Sequence, residues 1–131
     1  RLAANQVDYT LFFRRLCASA ADPAADEAIA SSFAEPGAFR DWAESWRRRL
    51  AGEDVAPEAR ARAMRLANPA FIPRNHRIEE VIEAAVRRAD FEPFETLTRV
   101  LERPYDDQPD FAYLAEPPLP EERVRHTFCG T

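Results

Sequence analysis

Apolar residues recur at helical spacing along most of this chain, and the places where the rhythm breaks divide it. Tyr9, Phe12, Phe13, Leu16 and Cys17 follow Asp8 at the i, i+3, i+4, i+7 and i+8 positions of one helical face. Asp8 is suited to cap that helix. Cys17 falls on the apolar face, so it reads as a small buried hydrophobe rather than a reactive thiol. Asp22-Pro23 restarts the chain into a second helix with Ala25, Ile29 and Phe33 inward. Asp26 and Glu27 lie in its first turn, near the positive helix end. Pro36-Gly37 reads as a break. A third helix then carries Phe39, Trp42, Ala43, Trp46 and Leu50 on one stripe and ends at Gly52. Its tryptophans read as core, and Arg47, Arg48 and Arg49 as cations complementing the negative helix end. A fourth, Ala-rich helix starts at Val55-Ala56-Pro57-Glu58 and closes at Ala67.

The run Asn68-Pro69-Ala70-Phe71-Ile72-Pro73-Arg74-Asn75-His76 is a joint between this half and a second helix pair. Asn68-Pro69 has the pattern of an N-cap followed by a proline at the first helical position, which predicts a single turn through Phe71. Pro73 holds Ile72 extended. A fifth helix then runs from Arg74 or Asn75 to about Ala89, with Ile78, Val81, Ile82 and Ala85 as its apolar stripe. Glu79, Glu80 and Glu83 face outward, and Arg87 is spaced to pair with Glu83. Asp90 is predicted to cap a sixth helix with Phe94, Leu97, Val100 and Leu101 inward and Pro93 in its first turn.

From Glu102 the periodicity stops. Five of the eleven prolines (Pro104, Pro109, Pro117, Pro118, Pro120) fall there, among many acids. This predicts an extended strap with a turn at Asp106-Asp107, pinned by Tyr105, Phe111, Tyr113 and Phe128. The expected fold is therefore all-α: an irregular bundle of five to six helices, comprising a body over 1–101 with its joint at 68–76. An extended, acidic, Pro-rich tail over 102–131 follows.

Composition narrows the function. The 131 residues make one domain's worth of chain. It opens on Arg1 rather than Met, and so reads as a fragment or processed product. All 18 basic residues are arginine, and the net charge is -5. That balance argues against a nucleic-acid partner, whose phosphates demand cationic surface. No apolar run reaches the length of a membrane span and no signal pattern opens the chain, so no membrane partner is expected and a cytoplasmic setting is. Two cysteines are too few for a stapled secreted domain, which fits a reducing compartment.

Convergent chemistry is scarce. The three glycines, Gly37, Gly52 and Gly130, are dispersed, and none forms a phosphate-cradling loop. Asp106, Asp107 and Asp110 lack the ligand set of a calcium loop, and the two Cys and two His do not make a zinc site. No catalytic or metal residue is assigned. His76, beside Arg74 and Asn75 at a helix start, is expected to satisfy backbone groups or pack at the joint.

Four stretches resemble one family. The joint from Asn68 to His76, with Glu79-Glu80 and Ala84-Ala85 after it, resembles the C-terminal region of the selenoprotein O family (SelO, in bacteria also YdiU). Asp8-Tyr9-Thr10-Leu11-Phe12-Phe13-Arg14-Arg15-Leu16 resembles the helix before that region, and Arg103-Pro104-Tyr105-Asp106-Asp107-Gln108-Pro109 its tail motif. Cys129-Gly130-Thr131 resembles its terminal cysteine or selenocysteine followed by two small residues.

The resemblance implies a piece of a protein adenylyltransferase with a kinase-like (pseudokinase) fold. Such an enzyme uses ATP with Mg²⁺ or Mn²⁺ to place AMP on Ser, Thr or Tyr hydroxyls of protein substrates. Its nucleotide and metal ligands lie upstream of the matched region, so residues 1–131 are expected to bind no cofactor and to be non-catalytic alone. They would instead serve the upstream kinase-like core. The resemblance makes Cys129 the candidate redox residue, paired with a cysteine outside this chain. Asn68, Pro69, Pro73, Arg74, Asn75 and His76 carry a motif of structural character. Without that core the piece is expected to leave apolar helix surface uncovered and to be able to form a homodimer. The other reading is a free-standing helical interaction module whose acidic tail binds a partner.

Overall fold

The computed structural model describes residues 2–124, and every regular element in them is helical. The chain divides into two compact units between Pro69 and Ala70.

The first unit holds α1 (Tyr9–Ala21), α2 (Asp26–Ala30), α3 (Pro36–Ala51) and α4 (Pro57–Ala67). Asp8 caps α1 as predicted, its Oδ1 accepting the Leu11 N–H at 2.9 Å. Phe12, Leu16, Ile29, Phe33, Phe39 and Ala43 form the buried core, with Phe13, Trp42, Trp46 and Met64 packed on it. Phe12 meets Phe33, Phe39 and Trp42 edge-on, the arrangement that ring quadrupoles favour. Cys17 is buried, and its thiol donates to the Phe13 carbonyl.

Three expectations shift here. Tyr9 is exposed and leans on Phe13 instead of entering the core, with 4.7 Å between ring centroids. Pro36-Gly37 is no break. Pro36 is the first residue of α3, where a missing N–H removes no helical bond, and the buried Asn5 accepts the Glu35 N–H beside it. The second helix is split into a 3-10 turn (Pro23–Ala25) and the short α2, with Phe33 buried beyond its end.

α1 packs chiefly on α4, and Arg14 ties the pair by donating to the carbonyls of Arg65 (3.1 Å) and Asn68 (3.0 Å). A cation on the last carbonyls of a helix suits its negative end.

The second unit holds α5 (Asn75–Arg88) and α6 (Glu92–Leu101), followed by a 3-10 segment (Pro109–Ala115) and a 3-10 turn (Pro120–Glu122). Its core is Ala70, Phe71, Leu97, Val100 and Leu114, joined by Ile78, Val81, Leu101 and Phe111. The tail is therefore only partly an extended strap. Residues 109–115 coil tightly enough to bury Leu114, so this stretch belongs to a core rather than lying over a finished one.

Within α5, Ala84 is fully buried while Ile82 and Val86 face out. Of the predicted stripe, Ile78 and Val81 pack on the core as expected, while Ile82 turns outward and the small Ala84 takes the closest approach. In α6, Leu97 and Val100 are buried as expected, but Phe94 is exposed. Asp90 caps α6 through its side chain, Oδ1 accepting the Glu92 N–H at 3.1 Å, although Phe91 is the residue flanking the helix. Ala89 closes α5 in the left-handed conformation (φ 50°).

Candidate functional site around the bend and the start of the fifth helix

The residues of the joint have separate jobs. Asn68 does not open a helical turn. It closes α4, with its backbone N–H and its side-chain amide both donating to the Met64 carbonyl, at 3.0 and 2.8 Å. The predicted turn through Phe71 does not form, because Ala70 and Phe71 direct their N–H groups to the Pro104 carbonyl instead, at 2.8 and 3.2 Å. That bond lets both side chains enter the second core while their amides remain satisfied. Pro73 sits in the non-helical stretch that its ring demands, and Asn75 begins α5 with Arg74 before it in extended conformation (ψ 133°).

The tail motif completes the same local structure. The Gln108 side chain donates to the carbonyls of Val100 and Arg103, each at 3.0 Å, and so closes the end of α6. Two of the family-like stretches therefore meet in space: Pro104 receives the bend, and Gln108 holds the strand of chain that presents Pro104. Sequence reading missed this pairing, since a backbone acceptor leaves no side-chain pattern.

Arg74 and His76 are both buried, 7 % and 4 % exposed. His76 packs in the first turn of α5 as expected, but neither ring nitrogen has a hydrogen-bond partner among the described residues. Burial lowers its pKa from the ordinary 6.5, and the Arg77 charge lowers it further. Glu122 and Glu80 oppose this, and Arg74 reinforces it. Arg77 itself is held by Glu80 at 2.8 Å and donates to the Tyr113 carbonyl at 3.0 Å, with its guanidinium over the Tyr113 ring. His76 lines an open groove of about 430 Å³ along α5, together with Glu79, Ile82, Glu83, Val86 and Glu122.

A second polar cluster lies in the first unit. Arg47 was expected to complement the end of α3. Instead it turns to Asp26, donating through Nε at 3.0 Å and Nη2 at 2.6 Å. It also donates to the Ser19 carbonyl and hydroxyl, and the Ser19 hydroxyl bonds Asp26 in turn. Ser19 is fully buried, so this cluster fastens α1, α2 and α3 from within. Its signal was present in the sequence. Ser19 lies three residues after Leu16, on the apolar face, where a serine requires a buried partner.

A smaller cavity of about 200 Å³ in the first unit is walled by apolar groups, Phe13, Phe33 and Trp42 among them. Among the described residues no three His, Cys, Asp or Glu side chains converge as metal ligands would, and no helix is long and apolar enough to cross a membrane. Cys129 and His126 lie outside the described residues.

What fold and site define is an all-α chain in which Arg14, Arg47 and Ser19 join helices to one another. The chain belongs to the SelO family: residues 1–102 match the profile described as protein adenylyltransferase SelO. The proteins named protein nucleotidyltransferase YdiU are close relatives. That of Bradyrhizobium diazoefficiens is 55 % identical over 130 residues, 99 % of this chain and 26 % of its own length. Those of Methylorubrum extorquens and Rhizobium etli are each 57 % identical, over 99 % of this chain and 27 % and 26 % of theirs. The chain thus spans about a quarter of the relatives it matches.

Proposed function

We propose that residues 1–131 are the helical C-terminal portion of a SelO-type protein adenylyltransferase, with a structural and regulatory rather than catalytic role. The whole enzyme transfers AMP from ATP, with Mg²⁺ or Mn²⁺, to Ser, Thr or Tyr hydroxyls of cytoplasmic protein substrates. In it, this portion buttresses the kinase-like core and carries Cys129 as a redox residue whose partner cysteine lies outside it. The observation that supports the reading most is the match to one nucleotidyltransferase family over nearly the whole chain at a quarter of the relatives' length. The polar chemistry described above agrees with it, since Asn68, Gln108, Arg14 and Arg47 all satisfy helix ends or helix junctions.

Full-length protein, given ATP labelled in its AMP moiety, Mg²⁺ or Mn²⁺ and a protein acceptor, is expected to transfer label, and residues 1–131 alone are not. Transfer by residues 1–131 alone would refute the scaffold role, and a full-length protein inert with both metals would refute the catalytic one. For Cys129, disulfide mapping of the full-length protein after mild oxidation should find it bonded to a cysteine outside residues 1–131. A free Cys129 in a protein whose activity still answers to reductant would exclude that role.

A further inference from the structure

The outer face of α5 is apolar along its middle and acidic along its borders. Ile82 and Val86 lie one turn apart and remain 49 % and 79 % exposed, on the groove that His76 lines. Glu79 and Glu83 repeat at the same one-turn spacing beside them, and Glu122 also lines the groove. Its one arginine among the described lining residues, Arg87, is paired with Glu83 at 3.5 Å. Single exposed aliphatic residues are ordinary. Here two adjacent ones border a histidine that is more than nine-tenths buried with both ring nitrogens unpartnered among the described residues. Buried polar atoms are normally paired. The groove has the character of a surface lacking its cover.

Resting on the reading that this chain is part of a longer adenylyltransferase, we propose that a segment of that polypeptide outside residues 1–131 seats in this groove. It would place an apolar side chain on Ile82 and Val86, flanking Arg or Lys side chains beside Glu79, Glu83 and Glu122, and a polar group on His76. Length and charge select this occupant. About three quarters of each relative lies outside the matched stretch, and a groove rimmed by carboxylates favours a basic cover. A second copy of this chain is a poorer occupant, because a two-fold contact would set the same acidic face against itself, on a chain of net charge -5.

Carboxylate labelling of the full-length protein tests this, using carbodiimide coupling of a small amine read peptide by peptide. Val86 is exposed enough for substitution to leave the second unit folded, which circular dichroism checks. Glu79 and Glu83 should label roughly tenfold more slowly in the unsubstituted protein than in Val86→Arg, which sets a cation against the basic segment, with Val86→Glu losing less protection. Equal labelling in all three proteins overturns the proposal. So does protection that disappears when residues 125–131 are removed, which assigns the groove to the chain's own end. Protection that disappears on dilution, with a halved mass, assigns it to a second copy and likewise overturns the proposal. AMP transfer is measured on the same preparations. Active unsubstituted protein with unprotected Glu79 refutes the docking surface alone, whereas inactive unsubstituted protein refutes the enzyme reading whatever the labelling shows.

Discussion

The carbonyl of Pro104 accepts the backbone N–H of Ala70 at 2.8 Å, and with it that of Phe71 at 3.2 Å. This places the start of the tail against the bend and lets Phe71, 4 % exposed, enter the core of the second unit. Phe71→Ala should cost about 3–5 kcal/mol, the range for deleting a buried aromatic side chain. Chemical denaturation of the chain measures it. A loss below about 1 kcal/mol would show that Phe71 does not anchor the second unit.

The Arg47 cluster makes a different demand. Its guanidinium engages Asp26 through two nitrogens and Ser19 through carbonyl and hydroxyl, with both side chains of the ion pair under one-third exposed. Arg47→Ala removes the donor to the Ser19 carbonyl and leaves the Asp26 carboxylate held by the Ser19 hydroxyl without its cation, and should destabilise by about 2–3 kcal/mol. Arg47→Lys should recover less than half of that, because an ammonium cannot reproduce the planar fork. Equal stability of the lysine variant and the unsubstituted protein in thermal melts would contradict the bidentate role.

Ala89 ends α5 with φ at 50°, a conformation disfavoured for a residue with Cβ, while Asp90 N–H returns to the Ala84 carbonyl. Glycine fits this position better. Ala89→Gly should raise stability by about 0.5–1 kcal/mol, the relief of left-handed strain outweighing the greater freedom of an unfolded glycine. A lower melting temperature for the variant would refute this account of the helix end.

Local signals account for what the sequence revealed. Asp8 before Tyr9 and Pro57 at the start of α4 are cues complete within one turn, and both helices begin where those residues predict. Asn68 was ambiguous for a local reason. An asparagine between a helix and a proline can cap forward or reach back, and the choice followed from Met64 offering its carbonyl. The stripe of α5 was right at Ile78 and Val81 and misplaced at Ile82, because apolar residues occupy positions 78, 81, 82, 84, 85 and 86, wrapping much of the helix. Only packing could decide that the small Ala84 faces inward and Val86 outward. Leu114 could not be foreseen as core, since a 3-10 segment rich in turn residues has no amphipathic period of 3.6. The site followed the same division. The special character of residues 68–76 was visible, while its link to Pro104 runs through backbone and the burial of His76 depends on the packed unit.

His76 makes the second unit sensitive to acid. Burial disfavours its imidazolium, Arg77 and Arg74 add to that, and the opposing Glu122 and Glu80 do not reverse the net lowering below 6.5. The unfolded chain then takes up the proton first as pH falls. The contribution of neutral His76 is fully present above 6.5, declines as pH drops from there toward the lowered folded value, and levels off below it. Melting temperature should therefore fall between pH 7 and about pH 5 by more in the unsubstituted protein than in His76→Phe, which keeps an aromatic ring and removes the titration. The difference should appear in paired melts across that range at fixed ionic strength. Parallel pH profiles for the two proteins would show that His76 carries no acid sensitivity, and that its buried ring is protonated as readily folded as unfolded.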